Sequence, residues 1–300
     1  DEGLFIEAGG SRNETESLLV TSGGVCHADR GTVWGLWGGV QRTRGTDMLF
    51  AHHSRSWRDV NELYDPELII REVLEDLRRS ERTAEAPAGR TTALLDPGVV
   101  ARFGWVVALG VNGRNVAKGD SPLRGRLGEQ VCDPCLTLLD DPHLDHAPGA
   151  CRIDSDGIPT RRQAIIRAGV LERFLYDLDS AGLAGAEPTG NTGCAPYSLD
   201  LAPGRRSSEE LLAGIDEGIY VKDLLGFGQS NVLNGDFAAN VALGYRIRRG
   251  EIIGRIKNTM IAGNVYELLR SGVQPSSDRD PVRRAPFLVV EGVSVSAGKA

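Results

Sequence analysis

The sequence predicts an α+β fold in which helices flank large, mostly antiparallel β-sheets. The first 56 residues mix β-forming side chains with glycines, as in twisted or bulged strands. Helix patterns at Asp65–Arg79 and Ser207–Glu217 stand between strand-like stretches. Near the carboxyl end, Phe237–Ile247 and Ile252–Ile256 flank Arg249-Gly250 in the manner of a β-hairpin. Strands and helices follow one another without a regular βαβ alternation, which favours antiparallel sheets.

Composition limits the possible functions. The 300 residues are 41% apolar and 25% charged, so the chain is long enough for one large domain or two. The net charge of −7 argues against a nucleic-acid partner, and no apolar run approaches the roughly 20 residues of a membrane span. Five cysteines without a signal-like segment predict a reducing, cytoplasmic location.

The amino-terminal region is predicted to end in a helix. Trp34 and Trp37 lie in a strand-like run and are expected to be buried against a neighbouring layer. The adjacent His52 and His53 should face opposite sides of a strand, so they cannot easily share a metal. In the helix, Asp65 is the expected cap, and the buried face is predicted from the spacing of four apolar residues: Ile70, Val73, Leu74 and Leu77.

A polar linker, Arg82–Arg90, divides the chain into a β-rich region, residues 1–90, and a second domain, residues 91–300. The second domain starts with a strand, Thr91–Leu95, followed by an apolar helix from Phe103 that leads into a glycine-rich loop ending at Gly128. Further elements are predicted as strands at Val131–Leu139, Gly218–Val221 and Phe287–Val295, and as helices at Asp177–Leu183 and Ile261–Leu269.

One set of residues has the composition of a zinc site. Cys132-x2-Cys135 is followed by His143-x2-His146, and two thiols with two imidazoles could form a tetrahedral centre. However, a spacing of three along a strand places the cysteines on opposite faces, and the gap before His143 is shorter than in zinc fingers. We therefore favour a structural role for these four residues, with a metal site as the alternative.

Other candidate residues lie near a glycine-containing loop. Thr189, Gly190 and Asn191 begin the sequence TGNTG, whose glycines permit close approach of the backbone to a ligand or another chain. Cys194 follows as a possible lone thiol nucleophile, although a small buried thiol is the simpler interpretation. No P-loop, GxSxG or HExxH motif occurs, so the sequence contains no self-sufficient catalytic set.

Several segments together resemble the TldD/PmbA family. The resemblance covers most of Thr91–Gly298 and fits residues 1–90 more loosely, while the family's usual N-terminal domain is expected to be absent. The segments that carry it are LGEQVCDPCLTLLDDP (127–142), DSDGIPT (154–160), AGVLERFLYDLDSAGLAG (168–185), PTGNTG (188–193), GIYVKDLLG (218–226) and NGDFAANVALGYRIRRGEIIGRIKNTMIAGNVYELL (234–269).

The resemblance implies a metallopeptidase system of two subunit types. TldD-type subunits carry an HExxxH zinc motif and a zinc-binding cysteine near the C-terminus, and PmbA-type subunits lack HExxxH. Aligned back from Lys118-Gly119, the motif's two histidines and glutamate correspond here to Gly104, Leu109 and Trp105. No HExxxH occurs, and Pro275–Val290 contains no cysteine. The chain is therefore similar to the PmbA-type subunit. The family's historical label, modulator of DNA gyrase, would imply contact with DNA or gyrase, and nothing in these residues supports DNA contact.

The leading hypothesis is a non-metal-binding partner of a TldD-type zinc peptidase. The partner would hold the zinc, this chain would need no cofactor, and the substrate would be a peptide or a small amide. Residues that would contribute to the substrate cleft or the interface are Gly104, Trp105, Leu109, Thr189, Gly190, Asn191 and Cys194. Two alternatives remain: a stand-alone hydrolase that uses the Cys/His zinc site or a thiol, and a purely regulatory binding protein.

Overall fold

The computed structural model describes residues 3–59 and 65–297. Its strands are β1 (Leu4–Val20), β2 (Cys26–Arg44), β3 (Asp47–Trp57), β4 (Gly89–Leu95), β5 (Leu138–Asp140), β6 (Gln163–Arg167), β7 (Val170–Leu171), β8 (Leu199–Leu201), β9 (Glu217–Leu225), β10 (Asp236–Arg248), β11 (Glu251–Arg255), β12 (Thr259–Asn264), β13 (Gln274–Asp280) and β14 (Ala285–Ala297). The helices are α1 (Pro66–Arg79), α2 (Pro97–Val111), α3 (Gly113–Lys118), α4 (Leu178–Ala184), α5 (Ser208–Ala213) and α6 (Val265–Leu268). The predicted α+β class is confirmed. Within the described ranges, no helix is both long and apolar enough to cross a bilayer.

The strands form three sheets. The first is β1-β2-β3, the second contains seven strands around β10 and β14, and the third is β7-β6-β5-β8. In the second sheet β10 pairs with both β12 and β9, so the order β10-β12-β14-β4-β9 closes on itself as a ring. All its pairs are antiparallel except β4 with β9. The predicted hairpin is present as β10 and β11.

The three-stranded sheet is largely solvent-exposed. His52 and His53 face opposite sides of β3, as predicted: His52 stacks on Trp37 with ring centroids 5.9 Å apart, whereas His53 turns towards α1. The expected burial of Trp37 is wrong, since 37% of this residue is exposed. Helix α1 packs on the opposite face of the sheet, beside Gly38. The described residues therefore leave the face that carries Trp37 open to solvent.

Helix α1 begins after its predicted cap, with the Asp65 carboxylate accepting a hydrogen bond from the Glu67 N–H. Its buried face differs from the prediction. Ile69, Val73 and Asp76 are buried, whereas Ile70 and Leu74 are 56% and 57% exposed. Relative to the prediction, α1 is rotated about its own axis, because the Asp76 carboxylate is held in the interior by side chains from three strands.

Two further elements correct the sequence prediction. The predicted strand Val131–Leu139 is a strand only from Leu138, because Asp133 accepts a hydrogen bond from the Cys135 N–H and closes a turn around Pro134. The predicted helix Ile261–Leu269 is mostly strand β12, which pairs with β10 and β14. Only Val265–Leu268 is helical, after an Asn264 cap. Non-local pairing overrides the local pattern in this segment.

Helix α2 lies against the ring-forming sheet. It begins at Pro97, six residues before the predicted start, and packs on β14 and β9. Val99, Phe103 and Val106 are at most 1% exposed and belong to the largest apolar cluster in the described chain. Burial of these side chains fixes which side of α2 faces outward.

Candidate functional site

Helix α2 is anchored at its beginning and presents one aromatic side chain at its surface. Asp96 caps the helix, its Oδ1 accepting from the Gly98 N–H at 3.0 Å. Because Phe103 and Val106 are buried, the intervening Trp105 faces outward and is 44% exposed. An exposed indole on a fixed helix is a suitable contact surface for a substrate or a partner chain.

The end of α2 is fastened to the loop that follows Asn191. Asn112 ends α2 and caps α3, with its Oδ1 accepting from the Arg114 N–H at 3.0 Å. Its Nδ2 donates to the carbonyl oxygens of Gly193 and Cys194 at 3.1 and 3.2 Å. One side chain therefore sets the spacing between α2 and the segment 193–199.

Between these two elements lies a pocket of about 340 Å³, which we call the α2 pocket. Helix α2 contributes Trp105, Ala108, Leu109 and Asn112, and the facing segment contributes Cys194, Ala195, Pro196, Tyr197 and Leu199. The structure thus brings together three residues that the sequence proposed from separate arguments: Trp105, Leu109 and Cys194.

Gly104 lines a second pocket, of about 100 Å³, which we call the aliphatic pocket. Leu199 borders both pockets. A Cβ atom placed on Gly104 would lie 3.5 Å from Leu199 Cδ1, an ordinary van der Waals contact. The two pockets are therefore neighbours along one face of α2.

Thr189, Gly190 and Asn191 are buried and make internal contacts. Thr189 Oγ1 accepts from the Tyr176 N–H at 2.8 Å. Asn191 Nδ2 donates to Asp140 Oδ2 at 2.7 Å, and Gln163 Nε2 donates to Asn191 Oδ1 at 2.7 Å. These three residues are absent from the lining of the α2 pocket and support the segment behind it.

Cys194 has a constrained position. Its φ is +58°, its Sγ accepts from the Asp177 N–H at 3.4 Å, and Ser180 Oγ lies 3.1 Å away. Burial opposes ionisation of Asp177, but hydrogen bonds from Ser180 and the charge of Arg114 lower the pKa of Asp177 to about 2. Among the described residues that line the α2 pocket, none carries an imidazole or a carboxylate that could activate a thiol.

A third cavity was not anticipated from the sequence. This polar cleft of about 870 Å³ lies between β3, α1, the N-terminal end of α2 and the ring-forming sheet. At its floor Asp76 is fully buried and accepts from Lys222 Nζ at 2.6 Å and from Tyr245 Oη at 2.9 Å. His53 Nε2 lies 2.7 Å from the same carboxylate.

The charges on this floor stabilise one another. Burial disfavours the charged form of His53. The nearby carboxylates of Asp76 and Glu72 have the larger combined effect, so the pKa of His53 is raised. Burial likewise opposes ionisation of Asp76, yet His53 and Lys222 lower its pKa. The sequence held one signal of this site, an acid at position 76 on the same helix side as Ile69 and Val73.

Comparison with known proteins supports the resemblance. Residues 88–297 match the family model described as the PmbA/TldA metallopeptidase C-terminal domain. The chain belongs to the TldD/PmbA family.

A metalloprotease of Methanothermobacter thermautotrophicus is 31% identical to this TldD/PmbA-family chain over 240 residues, covering 76% of the chain and 52% of the relative. A TldD homologue of Haemophilus influenzae is 29% identical over 62% of the chain and 40% of its own length. The crystal structure of TldE from Thermococcus kodakarensis has a TM-score of 0.86 at 25% identity, covering 99% of this chain and 70% of that one. The chain therefore spans about half the length of these curated relatives.

The zinc site that the resemblance implies for TldD-type subunits does not fit the residues of this chain. Gly104, Trp105 and Leu109 offer no ligand atom for zinc on α2. Across residues 3–59 and 65–297, no group of three or more His, Cys, Asp or Glu side chains is placed to hold a metal ion.

The Cys/His candidate is not assembled either. Burial raises the pKa of Cys132 to about 12, and desolvation together with Asp133 raises that of Cys135 to about 12. The Cys135 thiol donates to the Val273 carbonyl, His143 Nε2 lies 3.0 Å from Thr160 Oγ1, and His146 faces Asp59. No step of a metal-dependent reaction can be assigned to these side chains.

Proposed function

We propose that this chain is the non-metal-binding subunit of a TldD/TldE-type heteromeric zinc peptidase. In this proposal a TldD-type chain with HExxxH supplies the zinc and the water-activating carboxylate. This chain shapes the cleft in which a peptide or a small amide is held. Its five cysteines are free, which agrees with a cytoplasmic setting.

The observation that carries the proposal is the outer face of α2. Under the alignment back from Lys118-Gly119, the metal motif of TldD-type subunits would fall on this helix, whereas here the helix presents Trp105 and Leu109 to a mostly apolar pocket. Asn112 and the Asp96 cap hold that face in place. A fixed, apolar and aromatic wall suits binding and orientation, whereas it lacks the groups that hydrolysis requires.

The decisive experiment measures zinc content and peptidase activity of this chain alone and co-purified with an HExxxH-bearing chain encoded beside it. We expect no stoichiometric zinc and no activity from the single chain, and both from the complex. Zinc and hydrolysis in the single chain would overturn the proposal in favour of a stand-alone hydrolase. A stable complex without zinc or hydrolysis would overturn it in favour of a purely regulatory protein.

A pair of tryptophan variants tests the wall itself. Trp105→Ala should lower kcat/KM of the active complex at least about tenfold, since an exposed tryptophan that becomes buried in a binding contact commonly dominates the binding free energy. Trp37→Ala removes a comparably exposed tryptophan from the three-stranded sheet and serves as the matched control. Equal effects of the two substitutions would contradict a specific role for α2.

A further inference from the structure

Strand β1 is an edge strand, and no described strand pairs with its outer side. It is 17 residues long, and all of its residues are exposed or half-buried. It contains no proline, and it pairs with β2 from Leu4 to Val20 without a bulge. Proline, bulges and covering segments are the usual means by which an edge is kept from pairing with another chain. A long and regular edge that lacks them is a suitable site for a further strand.

Hydrogen bonds at the two ends of β1 show which of its backbone groups are free. The Thr43 N–H donates to the Gly3 carbonyl at 2.8 Å, and the Thr21 N–H donates to the Val25 carbonyl at 3.0 Å. Both contacts continue the β1–β2 register, so the odd-numbered residues of β1 bond to β2. The even-numbered residues therefore direct their N–H and C=O groups to the free edge.

The side chains of these even-numbered residues share one face of the sheet. Apolar side chains stand at both ends of the strand, where Ile6, Leu18 and Val20 are 66%, 67% and 66% exposed. Charged side chains stand between them: Arg12 and Glu14 are both solvent-accessible, and Arg12 Nη2 donates to Glu14 Oε2 at 3.1 Å. An order of apolar, charged and apolar segments can match its own reverse.

The charges select one register for such a self-pairing. With a two-fold axis at Asn13, Arg12 of each copy is opposite Glu14 of the other, and Ile6 is opposite Val20. An axis at Arg12 would set two arginines directly opposite, and an axis at Glu14 would set two glutamates opposite, which is unfavourable. We propose that β1 pairs antiparallel with β1 of a second copy of this chain about a two-fold axis at Asn13, which joins the two three-stranded sheets into one.

This inference requires neither a TldD-type partner nor hydrolysis. It can therefore fail while the proposed subunit role holds, and the reverse is also possible. If both hold, the edge of β1 joins two peptidase complexes through their non-metal-binding subunits.

Sedimentation equilibrium of the purified chain tests the pairing. We expect a reversible dimer, and a monomer at all concentrations up to about 200 µM would overturn the proposal. Arg12→Glu sets like charges opposite each other twice and should raise the dimer Kd at least about tenfold. Glu7→Arg is the matched control, because Glu7 lies on the other face of β1, opposite Leu19 in this register, and should leave the Kd unchanged. Equal effects of the two charge reversals would contradict the proposed register.

Disulfide formation tests the register without weakening the dimer. The two Asn13 residues would form a non-hydrogen-bonded pair with Cα atoms about 4.5 Å apart, which suits a disulfide. In a chain with Cys26→Ser and Cys135→Ser, Asn13→Cys should cross-link on mild oxidation. Ser11→Cys and Thr15→Cys should not, since each would lie about 13 Å along the strand from its own copy. Cross-linking at position 11 or 15 instead of 13 would refute the axis.

Hydrogen exchange decides between a second copy and a different occupant. Backbone N–H groups of the even-numbered residues should become protected as the concentration of the chain alone is raised. Protection that appears only after an HExxxH-bearing chain is added would assign the edge to that chain and overturn the proposal.

Discussion

The imidazole Nε2 of His53 lies 2.7 Å from Oδ2 of Asp76, and this contact joins strand β3 to helix α1. The other ring nitrogen, Nδ1, lies 3.2 Å from Glu72 Oε2. A protonated imidazole donates to Asp76 and places a positive charge beside Glu72, whereas a neutral imidazole lacks that charge. Lys222 and Tyr245 bind the same Asp76 from β9 and β10. The protonation of one histidine is thus coupled to the docking of α1 on two sheets.

Stability should depend on pH through His53. The pKa of His53 is raised in the folded chain above its ordinary value of about 6.5, so the stabilisation is complete below that value and is lost as pH rises through the folded pKa. Urea unfolding between pH 6 and 9 should show this decline. His53→Gln should remove it, while His52→Gln, on the exposed face, should preserve it. The same decline in both variants would refute the assignment.

Removal of the Asp76 charge should be strongly destabilising. Asp76→Asn leaves His53 and Lys222 buried beside a neutral group, so we expect the free energy of unfolding to fall by about 3–5 kcal/mol. Glu75→Gln is the control, because the Glu75 contacts with Arg78 and Arg79 lie near the surface and should contribute less than about 1 kcal/mol. Denaturant titration measures the free energy of unfolding of both variants. A loss below about 1 kcal/mol for Asp76→Asn would contradict the expectation and show that solvent reaches the Asp76 carboxylate.

Two glycines of the TGNTG loop should differ in their tolerance of alanine. Both have positive φ, +77° at Gly190 and +72° at Gly193. A Cβ on Gly190 would lie 2.6 Å from the Pro159 carbonyl oxygen, whereas one on Gly193 meets nothing within 4 Å. Gly190→Ala should therefore cost about 2–4 kcal/mol, and Gly193→Ala about 1–2 kcal/mol. Thermal unfolding of the pair measures the difference, and similar losses would mean that backbone strain alone matters.

Thiol reactivity should follow exposure and ionisation together. At pH 8, iodoacetamide should modify exposed Cys26 before Cys135, because the pKa of Cys135 is raised to about 12 and the thiolate is the nucleophile. Cys132 and Cys194 are buried and should react only after unfolding. Mass spectrometry over time gives the order. Rapid modification of Cys194 in the folded chain would revive the thiol-hydrolase alternative.

Features set by local hydrogen bonds were accessible from the sequence. The Asp65 cap forms between residues only two apart, so the residue types alone predict it. Alternation and turn residues likewise predicted the β10–β11 hairpin. The division at residue 90 and the interface role of the site residues remain predictions.

By itself, the sequence determined the α+β class, the Asp65 cap of α1, the family and the lack of an HExxxH motif. Only the tertiary structure decided which side of α1 is buried, that residues 259–264 form a strand, and that Trp105, Leu109 and Cys194 share a pocket. The physical reason is the range of the interactions. The partners of Asp76 lie 23, 146 and 169 residues away, and no local pattern encodes contacts that form only when distant strands meet.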